Sequence, residues 1–165
     1  MKFPTILLTS LLFLSGCSHQ NAFTKFELSQ EQEAAMASVQ SSKIAYNDKV
    51  TGVVSVIYLN EVYPTSYNKE EYFLLYFYLK EEQKEIFDPT ILEHRDLQLM
   101  LNEDKPLKIK QLSHNNRFSH LSGTQSKWSR YYLVAFQEQS NNTLSLVLKN
   151  GEYSSQNIVF RKNEE

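Results

Sequence analysis

The chain has little cysteine, glycine or proline: one Cys, four Gly and four Pro in 165 residues. A single thiol excludes a disulfide scaffold and any zinc or iron–sulfur site built from several cysteines. The four glycines are scattered, so the Gly-rich loops that cradle phosphates cannot be assembled. No apolar run reaches the roughly 20 residues that a membrane-spanning helix needs. Nor is there an excess of one charge. Seventeen Lys and Arg stand against 19 Asp and Glu, a net charge of −2. A basic footprint for nucleic acid is therefore not expected. What is present is ordinary for a folded chain, 41% apolar and 22% charged residues. That excludes a disordered or collagen-like polymer, and the length excludes a multi-domain enzyme.

The first residues form a unit of their own. Lys2 supplies a positive charge, and Pro4 to Leu14 (PTILLTSLLFL) follows with only Thr5, Thr9 and Ser10 polar. The small residues Ser15 and Gly16 then precede Cys17. A charge, a short apolar block and a small-residue end are the layout of a secretory signal. The block is too short to span a membrane, and a buried core element fits that order poorly.

The tetrapeptide Leu14-Ser15-Gly16-Cys17 resembles the lipobox of bacterial lipoproteins. The resemblance implies cleavage before Cys17, a diacylglyceryl group on its sulfur, and acylation of the new amine. Ser18 rather than Asp after the cysteine implies, by the enterobacterial rule, export to the outer membrane. The expected organisation is a signal peptide over residues 1–16, a lipidated tether over 17–26, a helix and linker over 27–48, and a β domain over 49–165.

Glu27 to Ser42 contains no Gly or Pro, and Ser29 with Gln32 has capping-box spacing. A helix is expected there, with Ala35, Met36 and Val39 on a thin apolar stripe that suits a packed accessory element. From Lys49 the hydrophobic period changes to two. Val50 to Val62 is β-branched and Pro64 ends it. In Tyr72 to Leu79, alternation places Phe73, Leu75, Phe77 and Leu79 on one face and Tyr72, Leu74, Tyr76 and Tyr78 on the other. Leu97, Leu99 and Leu101, then Leu107 and Ile109, read as a hairpin around the turn cluster Asn102–Lys105. Further strands are expected at 130–137, 144–148 and 158–161. That makes about seven strands with short connections and no crossover helices, the pattern of an all-β antiparallel sandwich with one N-terminal helix.

Seven strands in such a length resemble an immunoglobulin-like sandwich. The paired cysteines of antibody domains are absent, and Trp128 precedes a strand rather than lying within one. In lipobox, length and strand layout, and in the tracts Leu99–Leu107 and Trp128–Leu133, the chain resembles small immunoglobulin-like lipoproteins of Gram-negative bacteria such as Campylobacter and its relatives.

Sites for chemistry are few. His114 and His120 flank a loop without a nearby acid, which is weak as a metal site, and His94 stands between Asp88 and Asp96. No serine sits in a nucleophile elbow. Acid pairs such as Glu70-Glu71 and Glu81-Glu82 read as solvated edges. No catalytic residue, metal or cofactor is expected.

Tyrosine is the informative residue. Tyr58, Tyr63, Tyr67, Tyr72, Tyr76 and Tyr78 fall close together. Tyrosine combines large contact area with a polar tip and is enriched in interfaces. If uncovered, the Tyr72/Tyr76/Tyr78 face is a binding surface; if covered, it is core. The expected contacts are Tyr76, Tyr78, Trp128 and the loop around Arg117 and Phe118. The expected function is a lipid-anchored, non-enzymatic envelope module. It is joined to the membrane through Cys17 and binds an envelope protein or glycan. The alternatives are an assembly component similar to the lipoprotein of the type VI secretion envelope complex, a small periplasmic hydrolase, and a purely structural envelope protein.

Overall fold

The computed structural model describes residues 29–79, 97–122, 129–150 and 153–162. The leader, Cys17, the tether, His94 and Trp128 lie outside the described residues. Helix α1 (Gln30–Ser38) opens on the expected capping box: Ser29 Oγ accepts from Gln32 N–H, and Gln32 Oε1 accepts from Ser29 N–H. The Glu31 carboxyl is held below its usual range, chiefly by a backbone N–H and then by the Ser29 hydroxyl.

The helix does not reach Ser42. It stops at Ser38, and Gln40–Tyr46 is strand β1, paired antiparallel with β2 (Lys49–Tyr58). The sheet therefore begins well before residue 49, and the segment read as a linker is a strand. Asn47 and Asp48 join β1 to β2 at φ 46° and 61°. Two left-handed residues in a two-residue loop match the twist of a hairpin, and Asn and Asp tolerate that region best among residues with a Cβ.

Strand β2 is shorter than its β-branched run suggests. It ends at Tyr58, and Leu59–Val62 makes one helical turn, α2, before Pro64. Strand β3 (Glu71–Leu79) follows, then β4 (Leu97–Leu101), β5 (Lys108–Leu112), β6 (Arg130–Phe136), β7 (Thr143–Asn150), β8 (Tyr153–Ser155) and β9 (Ile158–Arg161). The described strands are antiparallel and form one sheet in the order β4-β7-β8-β1-β2-β3-β6-β5, with β9 also pairing β7. The expected hairpin of β4 and β5 is absent. The turn at Asn102 and Glu103 is there, with both φ positive, but β4 pairs with β7 and β5 with β6.

All-β architecture holds, but a single curled sheet stands where two stacked sheets of an immunoglobulin-like sandwich were expected. Ring positions show the curl. Adjacent strands lie about 4.8 Å apart, so β9 and β3, three places apart, would be about 14 Å apart in a flat sheet. Yet the Phe160 and Phe73 rings are 5.4 Å apart, centroid to centroid. The concave side is the main core, built from Phe73, Leu75 and Phe77, from Tyr132, Val134 and Phe136, and from Leu144, Leu146 and Leu148. The alternation of each strand thus puts one complete set of side chains inside the curl.

Polar side chains close one end of the curl. Glu71, only 1% exposed, accepts from the Tyr58 hydroxyl at 2.5 Å and from Gln139 N–H at 2.9 Å, and it pairs with the Lys162 ammonium. Lys162 also donates to Gln139 O at 2.5 Å. Asn102 accepts from Ser145 N–H at 2.8 Å and donates to Thr143 O at 3.1 Å. The ends of β2, β3, β6 and β9 are thereby tied together beside the β4 turn.

Candidate functional site

The convex face carries the other half of each alternation, and its covering is uneven. Ile57, Leu59 and Leu74 form a second core with Ala35 of α1, Val62 of α2, and Phe118 and Leu121 of the loop after β5. This end of the tyrosine face is covered. At the far end, Val53 and its cross-strand partner Tyr78 are 39% and 48% exposed. Tyr76 lies between the two zones, half-buried and stacked on Tyr131 at 5.8 Å. Burial pushes the Tyr76 phenol above its ordinary value, with the Ser55 hydrogen bond acting the other way.

Residues 113–122 form the loop that caps this face, and short side chains hold it. Asn116 Oδ1 accepts from Phe118 N–H at 2.8 Å, and Asn116 N–H donates to Ser119 Oγ at 2.8 Å. Ser119 Oγ donates to His114 O at 2.9 Å. Such side-chain to backbone bonds replace the ladder that a loop lacks. They fix two neighbours in opposite directions. Phe118 turns inward, 3% exposed, and Arg117 turns out.

Arg117 is positioned rather than free to swing. Its guanidinium carbon sits 4.6 Å from the Phe118 ring centroid and 6.0 Å from that of Tyr67, and one Nη donates to the Tyr67 hydroxyl at 2.5 Å. Tyr67 packs on Tyr72 at 4.6 Å, and the Tyr72 hydroxyl bonds the Glu70 carboxylate. Burial raises the Tyr63 and Tyr67 phenols while Arg117 opposes the rise in both. Tyr63 shares a hydrogen bond of 2.9 Å with His120 Nε2, and Gln32 of α1 donates to His120 O at 3.1 Å. The aromatic chain thus ties α1, α2, β3 and the loop into one surface.

A cavity of about 510 Å³ opens beside β5. Lys110, Asn116 and Arg117 stand on its walls, and Leu112, Leu133 and Phe118 make its apolar surface. It can hold a side chain or small group with an anionic end and an apolar stem. A second groove, about 570 Å³, runs between α1 and β9, beside Ala34, Ala37, Glu61 and Val159.

The expected contact residues therefore separate. Tyr76 and Tyr78 share the convex face, Tyr78 open and Tyr76 partly covered. Arg117 and Phe118 are adjacent: Arg117 projects outward, while Phe118 is buried, anchors the loop and lines the cavity beside β5. Cys17 and Trp128 are outside the described residues. His114 packs edge-on against Tyr131 while His120 bonds Tyr63, so the two loop histidines serve different neighbours. Among the described residues no three His, Cys, Asp or Glu side chains converge as metal ligands. Sequence reasoning missed Tyr67 as the partner of Arg117 and Lys110 as a wall of the cavity; the alternation of Lys108 and Lys110 with Ile109 was the available signal. No described helix is long and apolar enough to cross a membrane. Compared with known proteins, the chain matches no family model, no curated protein and no solved structure.

Proposed function

We propose that this protein is a lipid-anchored envelope lipoprotein whose β body is a non-enzymatic binding or assembly module at the outer membrane. The observation that carries the reading is the Leu14-Ser15-Gly16-Cys17 tetrapeptide closing a charged-then-apolar leader. Cleavage before Cys17 and acylation there supply the anchor. One acyl chain binds a bilayer only marginally, with a constant of about 10⁴ M⁻¹, whereas two or three hold a protein stably. The uncovered row of Val53 and Tyr78 on the convex face, with Arg117 exposed at the covered end of the same face, supports contact with a partner.

The test has two parts. Native protein should have the mass of a chain beginning at an acylated Cys17, and a Cys17→Ala form should leave the membrane fraction. An unmodified thiol or an intact leader refutes the anchor. In intact cells, a photo-crosslinker at position 78 should join a discrete envelope component that one at the exposed Lys49 does not. Equal crosslinking from both positions refutes the binding face.

A further inference from the structure

Charge is segregated along this chain although its total nearly cancels. Residues 105–137 hold Lys105, Lys108, Lys110, Arg117, Lys127 and Arg130 and not one Asp or Glu. All 19 acids lie elsewhere. Of this stretch the structure describes β5, the capping loop and β6, so Lys108, Lys110, Arg117 and Arg130 stand on one margin of the sheet. Lys108 and Lys110 are two apart on β5, hence on the same convex face, and both are exposed. Neither Lys110 nor Arg117 is joined to a carboxylate among the described residues. Glu70, an acid at the Tyr72 end of the aromatic chain, is held by the Tyr72 hydroxyl.

Two further observations narrow the ligand. Among the described strands β5 pairs on one side only, with β6. In an antiparallel ladder every second residue turns its N–H and C=O away from its partner strand, so β5 presents a row of backbone donors and acceptors. The cavity of Lys110 and Arg117 lies along the same strand and has an apolar surface of Leu112, Leu133 and Phe118. A polyanion held by charge alone needs neither the backbone row nor the apolar surface. We infer that β5 and its cavity receive an extended acidic segment of a partner protein, added to the sheet as a further strand.

This rests on the reading of the β body as a binding module and names the chemistry of its partner. Added strands take affinity from the backbone and specificity from alternate side chains. Acids two residues apart would face Lys108 and Lys110, and an apolar residue two further on would face Leu112 and enter the cavity.

The probe is a labelled peptide built on Leu-Thr-Glu-Thr-Glu, with its reverse, and the protein is the full chain in detergent. Saturable binding is expected, at least tenfold weaker for Lys110→Glu and for Lys108→Glu, with thermal unfolding of both variants unchanged. N-methylation of alternate peptide nitrogens should abolish binding on the edge that loses its donors. The inference is overturned by absence of saturable binding, by equal binding of both N-methylated forms, by indifference to both charge reversals, or by tighter binding of dextran sulfate or phosphatidylglycerol vesicles than of the peptide. The Cys17→Ala form should bind the peptide as the acylated form does, so loss of the anchor and loss of this site are separate results.

Discussion

Replacing Glu71 by alanine should destabilise the fold more than any other single loss of a charge. Its carboxylate is almost wholly buried and receives the Tyr58 hydroxyl, Gln139 N–H and the Lys162 ammonium. Alanine leaves the hydroxyl and the N–H without their acceptor, at about 1–3 kcal/mol each. Removing one partner of a fully buried ion pair costs about 3–5 kcal/mol. Lys162 is 24% exposed, so water recovers part of its share. We expect a net loss of about 3 kcal/mol for Glu71→Ala. At roughly 2–4 °C per kcal/mol for a chain of this size, the melting temperature should fall by about 6–12 °C. Lys162→Met leaves the buried carboxylate with only the Tyr58 and Gln139 donors and no countercharge, and should cost about 2 kcal/mol. Urea unfolding of the two single variants and the double variant measures all three values. A loss below about 1 kcal/mol for Glu71→Ala, or single losses that simply add in the double variant, refutes the view that this carboxylate organises the closed end of the curl.

Phe118→Ala should cost about 3–5 kcal/mol and speed amide exchange at residues 113–122, because the ring is the loop's inward anchor; unchanged exchange would show that the loop's own hydrogen bonds suffice. Tyr78→Ser should stay within about 0.5 kcal/mol of the parent in urea while weakening any crosslink through that face; a clear loss of stability would place Tyr78 in the core. Alkaline pH should unfold the protein cooperatively. Tyr58 is held above the ordinary value near 10, first by burial and then by Glu71, and Tyr63, Tyr67, Tyr72 and Tyr76 are raised too. Above that pH the unfolded chain releases protons that the folded one keeps, so stability is full below about pH 10 and falls above it. Smooth phenolate absorbance with unchanged circular dichroism through this range would contradict the prediction.

The strand faces were legible in the sequence because side-chain period in a strand is fixed at two. Phe73, Leu75 and Phe77 could only lie opposite Tyr72, Leu74 and Tyr76. The partners of those strands were not legible. Asn102 and Glu103 do make a turn, but a turn fixes only its own geometry. Leu101 then satisfies its backbone with Asp104 inside the turn, and the two flanking strands find different neighbours. Strand count and spacing could not separate one curled sheet from two stacked ones, since that depends on contacts such as Phe73 with Phe160 across the whole chain. Strand β1 was hidden for a different reason. Gln40, Ser41 and Ser42 continue the polar composition of α1, and their apolar signal is slight. The legible clue was Asn47-Asp48 between two short alternations, because two adjacent left-handed residues favour that pair.

The candidate surface shows the same division between local and distant causes. Tyrosines at 72, 76 and 78 had to share a face, but where that face is covered is decided by elements far off in sequence. Helix α1, the α2 turn and the loop at 113–122 reach Tyr72 and Leu74 and end near Tyr76. The row of Val53 and Tyr78 is left to solvent as a consequence of that reach, not of its own residues. The loop divides in the same way. Its Asn and Ser content announced a self-bonded turn, yet only the apolar floor of Ile57 and Leu74 explains why Phe118 turns inward. Once it does, Arg117 must project beside Lys110. The basic wall of the cavity therefore follows from packing on the convex face as much as from the charges themselves.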